Sequence, residues 1–287
     1  MHWTPRREKF RAVLAGNRCV HPGSVYDAMS ARMAEDIGFE VGMFAGSIAS
    51  LAIIGGPDNI LITLTEFAEQ AYRINRAGNL PLLVDADHGY GNALNVQRTV
   101  QELETAGVAA LTIEDTDLPK PYGTAKPRLI SLEEGVGKMK AALSGRQDKS
   151  LVVAGRTSAP SVTSLDDAIQ RAKAYEKAGV DAMFFAGVKT RPEMDAIAKE
   201  LKIPVFLGST PPEINDLDYL SGKGVRIALQ GHMPIHAAMK AAYDTLKALR
   251  EGTPPAEITN VAKGELKDMM TRGADYKKWM REFLAGG

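Results

Sequence analysis

Two stretches of this sequence set carboxylates where their mutual repulsion needs an answer. Leu82 to Asn92 reads LLVDADHGYGN, so three aliphatic residues run straight into Asp85 and Asp87. ALTIED at 110 to 115 ends the same way and carries Glu114. Residues two apart on a strand point in one direction, so Asp85 and Asp87 project together from a strand end, and Glu114 meets them from the next strand. Three carboxylates converging on a cavity repel one another unless a cation neutralises them. Oxygen-only ligands, without clustered histidine or thiolate, suit Mg2+, with Mn2+ as the alternative. A single acid would more often cap a helix or meet a lysine. Three on adjacent strands, followed by GYGN that lets backbone approach closely, favour a metal.

Other strand ends add candidates. AGSIAS at 45 to 50 offers Ser47 and the backbone N–H groups of Gly46 to Ile48 as a cradle for a carboxylate. GRT at 155 to 157 aims Arg156 at the same rim, where a guanidinium pairs with a carboxylate in two-pronged fashion. QGH at 230 to 232 places His232 there too. Each alone has a plainer reading, as a turn residue, a structural ion pair and a surface histidine; their shared position favours a joint site. His88 reads as a loop-orienting residue, His236 as structural, His21 as open, and Cys19, in a short apolar stretch, as packing.

These residues need a scaffold that brings strand ends together. Short apolar runs at 18–20, 41–46, 81–86, 110–115, 151–156, 182–187, 204–208 and 226–230 alternate with segments of helical period. One such segment opens on Ser164 with acids in its first turn and closes on Gly179. Eight repeats of strand then helix predict an α/β fold of the (β/α)8 TIM barrel type over residues 1–250, with its active site at the C-terminal ends of the strands. A doubly wound open sheet is the alternative. Residues 251–287 add helical stretches bearing Met269, Met270, Trp279, Met280, Phe283 and Leu284, an apolar extension expected to cap the barrel bottom or, preferably, to pack on another subunit.

The bulk composition narrows the function classes. Thirty-five basic residues balance thirty-five acidic ones in 287, so no net field draws the chain to nucleic acid or an anionic membrane. The most apolar region, Met43 to Ile54, is broken by glycine and serine and falls short of a membrane span. No secretory signal is evident and cysteine occurs once, so the expectation is a cytoplasmic enzyme acting on a small molecule.

VDADHGYGN, TIEDT, GRT and the glycine-serine turn after the second strand together resemble the isocitrate lyase and phosphoenolpyruvate mutase superfamily, over roughly Arg18 to Arg250. That resemblance implies a magnesium-dependent barrel acting on 2-keto acids or their enolates, commonly a homotetramer that exchanges a terminal helix between subunits; a homodimer is the smaller option. It implies Asp85 as the main metal ligand, Asp87 and Glu114 holding metal-bound waters, Asp58 of GGPDN in the outer shell, Ser47 at the keto-acid carboxylate and Arg156 on the substrate. Lyases of the superfamily carry a KKCGH-like loop whose cysteine is a general acid. Here the segment reads DLPKPYGTAKPRL, without cysteine, although Lys120 sits near a lysine shared by mutases and phosphonate hydrolases. The oxaloacetate decarboxylase branch is the best match, in DADHGYGNALNVQRTVQELETAG, TIEDT, EEGVGK and the GH that supplies His232. Where that branch has a tyrosine after the seventh strand, this chain reads LGSTPPE, placing Thr210 at the pocket wall. The expected activity is therefore Mg2+-dependent decarboxylation of oxaloacetate, or a close 2-keto acid, to pyruvate and CO2 through a metal-bound enolate, with His232 beside the developing charge and Asp117 to Leu129 as a lid. The alternatives are a carbon–carbon lyase or phosphonopyruvate-cleaving enzyme of the superfamily, or a catalytically silent barrel that binds a dicarboxylate.

Overall fold

The computed structural model describes residues 2–284, which divide into two compact units, Met1–Gly231 and His232–Gly287. The first unit holds eight parallel strands in consecutive order: β1 (Gly23–Ser24), β2 (Gly42–Phe44), β3 (Leu82–Asp85), β4 (Ala110–Glu114), β5 (Val152–Thr157), β6 (Ala182–Phe185), β7 (Val205–Leu207) and β8 (Val225–Ala228). Val20 closes the ring. It forms a parallel bridge with Ile227, its N–H donating to the Arg226 carbonyl at 2.9 Å and its carbonyl accepting from Ala228 N at 3.0 Å. That closure excludes the open sheet.

The strands read as near-continuous apolar runs because helices cover one side and the packed barrel interior the other. Seven fall where the apolar runs predict them. The first is displaced: Arg18 to Val20 contributes only the closing bridge, and paired β1 begins at Gly23, after Pro22, which has no N–H to give a ladder. The helices start at side-chain caps written in the sequence. Ser164 accepts from Asp167 N, and Thr63 with Glu66 and Asn92 with Asn95 form reciprocal caps. Gly179 ends its helix in the left-handed conformation (φ 105°).

The bottom of the barrel is closed from the other end of the chain. The helix Thr4–Ala15 sends buried Phe10 edge-on to Phe206 of β7 at 6.2 Å. Its Arg7, wholly buried, donates to the Val108 carbonyl at 3.0 Å and to the Asp148 carboxylate at 2.8 Å, just before β4 and β5. Other arginine bonds of this basic segment go to carbonyls at helix ends and at a strand start: Arg6 donates to Asn75, Arg7 also to Glu104, and Arg11 to Ser150 and Leu151.

The second unit contains the helices Met233–Arg250, Gly264–Thr271 and Gly273–Phe283. The first of these, expected with the barrel, groups instead with the terminal extension. It has one buried residue, Ile235, while Met239, Tyr243 and Leu246 are exposed on successive turns of one face. Among the described residues no helix is long and apolar enough to cross a membrane.

Candidate active site

Strand register builds the site. β3 pairs with β4 so that Asp85 lies beside Thr112, and β4 pairs with β5 so that Glu114 lies beside Arg156. Neighbours in register share a face, and so do residues two apart, so Asp85, Thr112, Glu114 and Arg156 all point one way at the C-terminal rim. Thr112 Oγ1 donates to Asp85 Oδ1 at 3.0 Å. Arg156 Nη1 donates to Asp85 Oδ2. Arg156 Nε lies 3.3 Å from Glu114 Oε2 but outside hydrogen-bond geometry, so that contact is electrostatic. The guanidinium carbon sits 5.2 Å above the Phe184 ring, which fixes it from behind.

Asp87 belongs to the loop beyond β3, with φ 49°, and its carbonyl accepts from Glu114 N at 2.8 Å, tying the two acids together through backbone. Its carboxylate rests against the Cα of Gly46; a Cβ there would lie 2.5 and 2.6 Å from the two oxygens. Asp85, Asp87 and Glu114 are 9%, 6% and 5% exposed. Burial, then Asp85, then Glu114 push the Asp87 carboxyl well above the ordinary range against the single opposing charge of Arg156. Glu114 is raised by burial and Asp85 although Arg156 opposes, and Asp58 is raised by burial and then by Asp85. Burial works against the Arg156 cation, but Asp85 and Glu114 outweigh it and hold its pKa above the ordinary value. Three carboxylates facing one guanidinium leave, when all are ionised, a surplus of two negative charges (three minus one).

That surplus is what a divalent cation would answer, and every donor in the set is a hard oxygen. Among the described residues no three of His, Cys, Asp or Glu stand ready around one point as a cage. The chemistry fits a site in which one carboxylate touches the ion and the others act through its solvent, the arrangement the resemblance implies for Asp85.

The other expected residues fall variously. Ser47 lies in the short helix Gly46–Ala49, half-buried, and Ile48 is not part of a cradle: its N–H donates to the Ala45 carbonyl at 3.1 Å and its side chain is buried. Gly46 and Ser47 are the first two residues of that helix, ahead of its backbone ladder. Thr210 donates to Asn215 Oδ1 at 3.3 Å and lines a cavity of about 650 Å3 over the ends of β6 to β8, with Lys189, Ser209 and Gln230. His232 precedes the helix Met233–Arg250 in the second unit, and its role stays with the sequence resemblance. His21 Nδ1 contacts the Ala228 carbonyl at 2.7 Å, and Cys19 is a packing residue whose thiol burial pushes up to about 12.

The loop from 117 to 129 is stapled at its base: Thr116 bridges Leu129 antiparallel, Asp117 N donates to the Arg128 carbonyl at 2.9 Å, and Arg128 pairs with Asp117. Sequence reasoning missed what holds that base. Asp115, wholly buried, accepts from Tyr175 OH at 2.9 Å and from Arg171 Nη1 at 3.2 Å, while Arg171 also donates to the Ile130 carbonyl at 3.0 Å. It missed Lys138 as well, whose buried ammonium donates to the His88 carbonyl at 3.0 Å. Both were within reach, Asp115 directly following Glu114 and Lys138 closing EEGVGK.

The family model described as phosphoenolpyruvate phosphomutase matches residues 10–250. The chain belongs to the phosphoenolpyruvate phosphomutase family. Among relatives in this family, an oxaloacetate decarboxylase of Bradyrhizobium sp. (strain ORS 278) is 62% identical over 98% of both chains. One of Rhodopseudomonas palustris (strain BisB18) is 60% identical over 99% of both. Solved structures agree on the fold. A phosphoenolpyruvate phosphomutase from Streptomyces platensis subsp. rosaceus superposes with a TM-score of 0.84 at 26% identity, covering 97% of this chain and 99% of that one. A phosphonopyruvate hydrolase complexed with oxalate and Mg++ superposes at 0.83 with the same identity and coverage.

Proposed function

We infer that this chain is a divalent-metal-dependent oxaloacetate decarboxylase, releasing CO2 from C4 and returning pyruvate. The observation that carries the substrate is the 62% identity, over 98% of both chains, to a protein bearing that name. The unneutralised acids at the rim support the chemistry. When bound among them, Mg2+ (or Mn2+) would polarise the C2 carbonyl and accept negative charge as the C3–C4 bond breaks.

The residues supply binding and order. Asp85, Asp87 and Glu114 would hold the ion, with Asp58 farther out. Ser47 Oγ and the Gly46 and Ser47 amides would hold the C1 carboxylate, leaving the keto oxygen turned to the acids. Arg156 would leave Asp85 to meet substrate oxygen, keeping its place over Phe184. The loop from Asp117 to Leu129 would shield the enolate from bulk water. His232 is proposed beside the developing charge, where a donor contributes roughly 100-fold or more, and Thr210 at the pocket wall. The exposed face of Met239, Tyr243 and Leu246 supports a homo-oligomer, proposed as a tetramer or dimer. A lone buried cysteine fits a reducing compartment, and the cytoplasm is the proposed location.

A substrate panel tests the reading. Purified protein with magnesium is expected to release pyruvate from oxaloacetate well above the background rate and to stop in EDTA. Consumption of phosphonopyruvate or 2-methylisocitrate with oxaloacetate untouched would overturn it.

A further inference from the structure

The loop after β3 packs four left-handed residues into five positions: Asp87 (φ 49°), Gly89 (79°), Tyr90 (59°) and Gly91 (146°). Glycine adopts such angles freely, but Asp87 and Tyr90 carry side chains and are strained there. Three successive carbonyls hold the loop against that strain. Asp87 O accepts from Glu114 N at 2.8 Å, His88 O from Lys138 Nζ at 3.0 Å, and Gly89 O from Thr99 Oγ1 at 3.0 Å, so β4 and two different helices brace it.

The strain at Asp87 serves the acid cluster. Tyr90 bears the same strain without a carboxylate to place. Its ring centroid lies 6.3 Å from Phe67, which stacks on Phe44 at 5.0 Å; Phe44 ends β2, two residues before the Gly46 that abuts the Asp87 carboxylate. The ring therefore fills an apolar slot on the Gly46 side of the acids. Its phenolic oxygen is buried and has no hydrogen-bond partner. A phenylalanine would fill that slot without the unmet hydroxyl, and buried polar groups without partners are rare because their desolvation goes uncompensated. Burial, then the charges of Asp87 and Asp85, hold the Tyr90 pKa well above its ordinary value, so the buried O–H keeps its proton and stays a donor within the field of those acids.

We propose that Tyr90 is a positioning residue of the metal site, its O–H donating a hydrogen bond to the oxygen shell that a divalent ion brings to Asp87. The proposal rests on the reading of Asp85, Asp87 and Glu114 as the metal site. It goes beyond it by assigning the loop's strain and its unmet hydroxyl to one purpose. Groups that orient a metal's ligands typically change affinity by about 10- to 100-fold when removed.

The test is Tyr90→Phe in the full chain, with manganese chloride alone as the probe, free Mn2+ counted by electron paramagnetic resonance, and thermal unfolding followed in EDTA. The expected result is a manganese Kd raised about 10-fold or more, together with a metal-free melting temperature no lower than wild type, since the variant loses only an unpaired hydroxyl. An unchanged Kd overturns the proposal. So does a weaker Kd accompanied by a lower metal-free melting temperature, which marks a packing role. Asp87→Asn separates the two readings: if wild type binds manganese and Asp87→Asn does not, equal binding by Tyr90→Phe sinks only the tyrosine's role. If wild type itself binds none, the metal reading fails and the proposal with it.

Discussion

Gly46→Ala is the sharpest test of the geometry around Asp87. A Cβ added at Gly46 would stand 2.5 Å from Asp87 Oδ2, where ordinary contact begins at 3.4 Å, so the carboxylate must retreat by about 0.9 Å (3.4 minus 2.5). It has little freedom to do so, because its own carbonyl is tied to Glu114 N and the next two to Lys138 and Thr99. A displacement near 1 Å in a catalytic constellation costs about 100-fold, which is about 2.7 kcal/mol of transition-state stabilisation. The assay is kcat/KM for pyruvate formation from oxaloacetate at saturating magnesium. Gly137→Ala is the matched control: a Cβ there meets nothing within 4 Å, and replacing a mid-helix glycine stabilises by roughly 0.5–1 kcal/mol. Gly46→Ala at wild-type kcat/KM would refute the close approach, and with it the placing of Asp87 in the site.

Other expectations follow from the same charges. Burial and neighbouring acids raise Asp87 and Glu114, so the folded metal-free protein binds their protons more tightly than the unfolded chain. The stability they contribute is present below the ordinary carboxyl pKa and is lost as pH rises through the raised values. Bound metal reverses this by demanding the ionised form, so melting curves should show magnesium stabilising more as pH rises, and a pH-independent gain would contradict it. Arg171→Met leaves buried Asp115 without its cation and should lower stability by about 3 kcal/mol or more in urea titration. A smaller loss would show that Tyr175 alone suffices. Leu246→Glu should shift the sedimentation coefficient toward a monomer if the Met233–Arg250 face packs on a second copy, and an unchanged value would dismiss that interface.

The strands and their order were legible because parallel barrel strands are short apolar runs with turn signals on either side, and the acids announced themselves by ending two of them. β1 was not, since Val20 closes the ring with one bridge and Pro22 breaks the run before Gly23. Asp85, Glu114 and Arg156 share a rim because strand periodicity dictates it; Asp87 reaches the same place only through a left-handed backbone that no periodicity foretells. Ile48 misled because a glycine-serine turn and the first turn of a helix look alike in sequence, and the helix consumes its amide. The grouping of Met233–Arg250 with the terminal helices reflects how little of that helix is buried, which an amphipathic pattern cannot reveal.

The most direct measurement is the anomalous scattering of manganese in crystals soaked with manganese and oxalate. A single strong peak bounded by Asp85, Asp87 and Glu114, with Arg156 turned from Asp85 to the oxalate, is the predicted result. At saturating manganese, no peak among those acids and an Arg156 still bound to Asp85 would contradict it.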